Sequence, residues 1–242
     1  MSIVQNVTVE SFDVQPNGNI KISSLLRYFQ KAAGDDVNKT DLNYNNLSSH
    51  NIAFVITKMS VRILDDIKQY DQLTIISHPR KIRGVTFPRD FIVKCDNKTV
   101  ALASSNWVLL DLVKRHILRP SAIDDIGYLP PSTDDLFEID DVRLVIDENS
   151  LQRTDVRRVN YSNLDMNNHL NNTYYSDYIF DNIPQEAHKS DKNLYLQINY
   201  KNEAKLYDVL EIFYKSADNN ITFCAKNNTI DNICFTAFVS FN

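Results

Sequence analysis

The sequence predicts an α+β protein built from two tandem repeats, each a curved antiparallel sheet wrapped around a central helix. Three observations predict it. A stretch of the first half recurs in the second. Each half carries one apolar helical face upstream of that stretch. Apolar and polar residues alternate with period 2 through much of what remains.

The recurring stretches are Val61–Ile75 and Ile198–Ile212, at an offset of 137 residues (Tyr70 to Tyr207). Tyr70-Asp71 matches Tyr207-Asp208, Leu73 matches Leu210 and Ile75 matches Ile212. Val61 then falls on Ile198, and Asp66 on Glu203. Further on, Ile92-Val93-Lys94-Cys95 resembles Ile221-Thr222-Phe223-Cys224, and Thr99-Val100 resembles Thr229-Ile230. Ile22, Leu25, Leu26, Phe29 and Ala33 mark the face of the first helix, and Leu170, Tyr174, Tyr178 and Ile179 that of the second. Each half therefore reads strand, helix, then four strands. Asn97-Lys98 and Asn227-Asn228 are expected at hairpin turns. The first repeat is placed at 1–118, a connector at 119–148 and the second repeat at 149–242. The connector holds Pro130-Pro131 and many acids, with a short helix expected near Asp134 to Ile139.

A chain of 242 residues with 43% hydrophobic content and mean hydropathy −0.34 supports a real core and reads as soluble and cytoplasmic. Its formal net charge of −5 disfavours general nucleic-acid binding. No stretch approaches the length of a membrane span, and Met1 to Asn6 lacks the basic start and apolar run of a signal peptide. Cys95, Cys224 and Cys234 lack metal-ligand spacing and read as reduced core residues.

The segment Asp165-Met166-Asn167-Asn168-His169 sets an acid, an amide and an imidazole at every second position before the second helical pattern. An extended or turning backbone there would gather the three side chains beside unpaired N–H groups at a helix start. Such a cluster can polarise a carbonyl and position a water. Asp and Asn also favour turns and caps, so the pattern alone is loose. The first half offers Pro16-Asn17-Gly18-Asn19 instead, with no His, so one active site per chain is expected. Glu203 follows an alternating strand (Leu194, Leu196, Ile198 and Tyr200 on one face) and is the next candidate. No metal is expected, since Asn167 is a poor ligand and no second His pairs with His169. Tyr174, Tyr175 and Tyr178 read as core, with Tyr174 and Tyr175 also candidates for lining a substrate tunnel. Trp107 reads as core, with tunnel lining as its alternative, and His50, His78, His116 and His188 as surface or packing residues. Basic clusters at Arg80-Lys81-x-Arg83 with Arg89, at Lys114-Arg115 with Arg119, and at Arg153 with Arg157-Arg158 read as solvated faces or as a patch for an acidic protein partner.

These residues together resemble the acyl-acyl-carrier-protein thioesterases of plants and bacteria. The second half carries Asp165-x-Asn167-x-His169-Leu170-Asn171-Asn172-x-x-Tyr175 and Tyr200-x-x-Glu203-Ala204. The first carries Gly18, Gln30-x-Ala32-Ala33, Arg89-Asp90-Phe91, Ser105-x-Trp107-Val108 and Asp111-x-x-x-Arg115. The resemblance implies a double hotdog fold and hydrolysis of fatty acyl thioesters of acyl carrier protein, presented on a phosphopantetheine arm, in fatty acid biosynthesis. It implies no cofactor, and a monomer or homodimer. It implies Asp165, Asn167, His169 and Glu203 as the catalytic set. Many plant members have Cys after the Glu; Ala204 stands here, which removes a Cys/His mechanism. Ala53-Phe54-Val55 and Ser77-His78-Pro79 depart from the family's Trp-Val and Thr-Trp-Pro, which bears on chain length. In the expected mechanism, helix-start N–H groups after His169 stabilise the oxyanion, Glu203 acts as base alone or with His169, and Asp165 fixes the His169 ring or helps activate water. Direct attack by a carboxylate is the variant of this scheme. An acyl-CoA thioesterase and a non-catalytic acyl-binding sensor are the alternatives. A hydratase with Asp-x-Asn-x-x-His is disfavoured because His169 comes one residue early.

Overall fold

The computed structural model describes residues 2–127, 134–147, 150–184 and 193–241. Pro130-Pro131 and His188 lie outside them. The first half runs β1 (Ile3–Thr8), α1 (Ile22–Val37), α2 (Tyr44–Ser49), β2 (Ile52–Ile63), β3 (Gln72–Pro79), β4 (Thr86–Cys95), β5 (Lys98–Asp111) and β6 (Ile117–Leu118). The second runs β7 (Gln152–Arg158), α3 (Tyr174–Phe180), β8 (Leu194–Tyr200), β9 (Val209–Ala217), β10 (Asn220–Asn227) and β11 (Asn232–Phe241). The expected order of strand, helix and four strands holds in both halves. Among the described residues, the additions α2 and β6 occur in the first half alone.

All strand pairings are antiparallel, in the order β1-β3-β4-β5-β2-β8-β11-β10-β9-β7, with β6 on β5. The order is symmetric about the β2–β8 seam, where Met59 faces Ile198 and Val61 faces Leu196. Helices α1 and α3 share one hydrophobic core beneath this sheet. Ile22, Leu25, Leu26, Phe29 and Ala33 are all buried, so the predicted face of α1 is its packed face. Phe29 stacks on Phe91 of β4 at 4.6 Å between ring centres. Burying an aromatic ring of this kind is worth a few kcal/mol.

Three local expectations change. The β4–β5 turn is Asp96-Asn97, both at positive φ, as a tight two-residue hairpin requires, and not Asn97-Lys98. Residues Asp134 to Ile139 form no helix. Their polar groups go to the sheet instead: Leu136 N–H donates to Asp90, while Asp134 and Asp135 pair with Lys81, Arg80 and Arg83. Farther along, Asp140 pairs with Arg62, and Asp141 with Lys58 at 2.6 Å. The Val142 backbone exchanges two hydrogen bonds of 2.9 Å with the Gln197 amide. Residues 134–142 of the connector are thus a strap laid over the seam, which covers Tyr195 and Gln197 on the second face of β8. Lastly, α3 begins at Tyr174, so Leu170 stands outside it. The Asn171 side chain accepts the Thr173 N–H at 3.0 Å, a local turn that competes with helix and delays its start.

Candidate active site

Residues Leu164 to Leu170 form a tight antiparallel turn, closed by Asp165 N–H to His169 C=O at 2.8 Å and Asn168 N–H to Asp165 C=O at 3.1 Å. Asn168 takes φ +61°, a conformation Asn tolerates better than most residues. The Asp165 carboxylate accepts the N–H groups of Asn167 (2.8 Å) and His169 (3.2 Å). It therefore holds the backbone of the turn. The His169 ring is held elsewhere: its Nε2 lies 3.2 Å from Glu203 Oε2. Glu203 also meets the Arg115 guanidinium at 2.5 Å. Leu170 N–H donates to Ala204 C=O at 2.8 Å, and His169 bridges Lys205, which locks the turn against the end of β8.

Most N–H groups of the expected oxyanion site ahead of α3 are already engaged. The N–H groups of Asn167, Asn168, His169, Leu170, Asn171, Thr173 and Tyr174 all donate within the protein. A side-chain donor beside them is the Asn167 amide. Its Oδ1 accepts the Tyr44 hydroxyl at 2.7 Å, which leaves Nδ2 to donate. Asn167 and Asp165 line a cavity of about 610 Å³. Most of its wall comes from the first half: Ala33 and Val37 of α1, Leu47 of α2, Phe54 of β2, Phe87 of β4 and Trp107 of β5. His169 and Glu203 stand behind the turn and do not line it.

Tyr174 and Tyr175 do not line it either. Tyr175 is buried against Tyr200 and Phe235, and burial drives its phenol well above its ordinary pKa. Tyr174 donates to Ser162 C=O beneath Arg27. Trp107 packs against the main core and is also on the cavity wall, the two roles expected of it. One buried charge pair also borders the cavity: Arg89 meets Asp36 of α1 and the Ser77 hydroxyl, both at 2.7 Å. No cluster of His, Cys, Asp and Glu suited to a metal occurs among the described residues. Tyr44 and Arg115 are contacts that motif reading did not assign to the site.

The first half holds the degenerate counterpart. Asn19 bridges Lys68 as His169 bridges Lys205, and its amide donates to Asp66 at 3.2 Å where His169 meets Glu203. Gly18, at φ +81°, stands where Asn168 does. An amide stands where the second half has its imidazole, and the charged neighbour of the acid is Lys68, whose Nζ lies 3.4 Å from Asp66.

A duplicated helix-wrapping sheet with one elaborated turn defines a double hotdog protein. Comparison with known proteins gives the family. Residues 2–125 match the acyl-ACP thioesterase N-terminal domain, and residues 147–233 match the C-terminal domain. The chain belongs to the acyl-ACP thioesterase family. A palmitoyl-acyl carrier protein thioesterase of Arabidopsis thaliana is 24% identical over 86% of this chain. The chain spans about half the length of the curated plant relatives it matches, 53% in that case. In fold it is similar to an acyl-ACP thioesterase from Bacteroides thetaiotaomicron (TM-score 0.83, 21% identity, 100% of this chain and 98% of that one). It is equally similar to the 12:0-ACP thioesterase from Umbellularia californica (TM-score 0.83, 15% identity, 100% and 97%). No helix among the described residues is long and apolar enough to cross a membrane.

Proposed function

We propose that this protein hydrolyses the thioester of a fatty acyl chain carried on acyl carrier protein, releasing free fatty acid and the carrier's thiol. The observation that carries the reading is the His169–Glu203 pair at 3.2 Å, set behind a turn whose Asn167 faces the 610 Å³ cavity. The acyl chain lies in that cavity, against the apolar wall of the first half. Asn167 Nδ2, oriented through Tyr44, donates to the thioester oxygen as charge develops there. One such donor is worth about 2.7–4 kcal/mol in the transition state. Glu203, paired with His169, takes a proton from the attacking water, and as the carbonyl re-forms the C–S bond breaks and the sulfur takes up that proton to leave as the thiol. Asp165 acts through the backbone, holding Asn167 and His169 in place.

The test is turnover of a panel of acyl-carrier-protein and acyl-CoA thioesters, followed as free thiol, in wild type, Glu203→Gln and His169→Ala. Each variant is expected to lose at least about 10²-fold in kcat, the lower range for a positioned acid–base group. Near-normal turnover in either variant removes that residue from the mechanism. Faster turnover of the CoA thioesters reassigns the carrier.

A further inference from the structure

The chain is acidic overall, yet the run Leu112 to Ile123 holds no acid and carries Lys114, Arg115 and Arg119. The other basic clusters are largely neutralised from within, with Arg158 left stacked over the Tyr207 ring. Arg80, Lys81 and Arg83 meet Asp90, Asp134 and Asp135; Arg153 meets Glu211; Arg157 meets Asp155 and Asp181. No ion pair among the described residues takes Lys114 or Arg119. The same turn exposes apolar side chains, with Val113 70% and Ile117 50% accessible.

The turn is also built rigidly. Asp111 accepts the N–H groups of Val113 (2.9 Å) and Lys114 (2.8 Å), Leu112 N–H reaches Asn51 C=O at 2.8 Å, and Arg115 takes φ +56°. From that position Arg115 reaches Glu203, so the turn stands beside the candidate catalytic pair. A preordered surface loses little freedom on binding, and unpaired cations steer an acidic partner.

We infer that the β5–β6 turn is the docking surface for an acidic carrier protein. Lys114 and Arg119 meet its carboxylates while Leu112, Val113 and Ile117 cover apolar side chains at the centre of the contact. The inference rests on the hydrolytic reading for the identity of the partner, but its test does not. A small anionic thioester needs cations alone and gives the exposed apolar tip no work. An anionic membrane would use the cations and the apolar tip alike, but not their placement against Glu203.

The experiment uses the full chain and labelled, purified holo-acyl carrier protein, read by fluorescence anisotropy. Arg115 stays intact because it touches Glu203. The double variant Lys114→Glu/Arg119→Glu is expected to bind at least about tenfold more weakly, and wild-type binding is expected to weaken steeply toward about 0.5 M salt. Val113→Ser is expected to weaken binding severalfold without changing the salt dependence. Equal binding by wild type and double variant overturns the inference. So does the absence of wild-type binding, or a preference of wild type for anionic lipid vesicles over the carrier. Turnover of an acyl-pantetheine thioester is measured alongside and is expected to stay within about twofold in the double variant, since exposed charges contribute little to stability. Carrier binding without any turnover sinks the hydrolytic reading and leaves the docking surface standing. Turnover of the free thioester without carrier binding does the reverse.

Discussion

The buried pair between Asp36 and Arg89 gives a sharp test of how the cavity wall is held. Asp36 projects from α1 and Arg89 from β4, and their side chains are 9% and 10% exposed. Asp36→Ala would leave the guanidinium buried with only the Ser77 hydroxyl as partner. Stranding one member of a buried pair costs about 3–5 kcal/mol. For a chain of this size each kcal/mol lowers Tm by about 2–4 °C, so the expected fall is about 6–20 °C. Urea titration should show the midpoint falling with the slope unchanged. Asp36→Leu with Arg89→Met removes both charges, and should recover most of the loss. The orphaned Ser77 hydroxyl subtracts about 1 kcal/mol from that recovery. A loss below about 1 kcal/mol in Asp36→Ala would refute the reasoning, because it would mean that Arg89 reaches water through the cavity it borders.

Two further expectations concern the turns. Gly18 sits at φ +81° with nothing within 4 Å of an added Cβ, so Gly18→Ala should cost about 1–2 kcal/mol from backbone conformation alone. Gly18→Asn should cost clearly less, as Asn168 already occupies the equivalent position. Equal costs in thermal melts would overturn this account. At Asp111 the Lys114 N–H holds the carboxyl below its ordinary range, with burial opposing and the Val113 N–H assisting. A depressed folded value means that the stabilisation is complete above the unfolded value and is lost as pH falls through the folded one. The Val113 and Lys114 amide resonances should therefore titrate with a midpoint below about 3.9. A midpoint at or above that value would contradict the geometry.

The duplication was legible because its marks are local. Tyr70 and Tyr207 both take positive φ, and Asp71 and Asp208 cap Lys68 and Lys205 through hydrogen bonds of 2.8 Å each. Glu203 stood out as the acid that follows an alternating strand, and the same offset set it on Asp66. The start of α3 was misplaced because apolar spacing registers which residues share a face, and not that the Asn171 side chain captures the next turn's N–H. Asp165 was expected to fix the imidazole or to help activate water; alternate positions suggested neighbouring side chains, but the turn brings the carboxylate to the Asn167 and His169 N–H groups. Tyr44 and Arg115 lie on α2 and the β5–β6 turn, which have no counterpart among the described residues of the second half, so the repeat could not point to them.

At the β2–β8 seam each half supplies what would otherwise be missing from the other. A fragment ending within the connector would carry a long strand, Ile52 to Ile63, with one flank of its N–H and C=O groups facing water. The simplest remedy for such a fragment is another molecule of itself, joined two-fold across that flank. Fusion in one polypeptide removes the dependence on concentration, and it frees one of the two equivalent turns to give up its imidazole while the other keeps it.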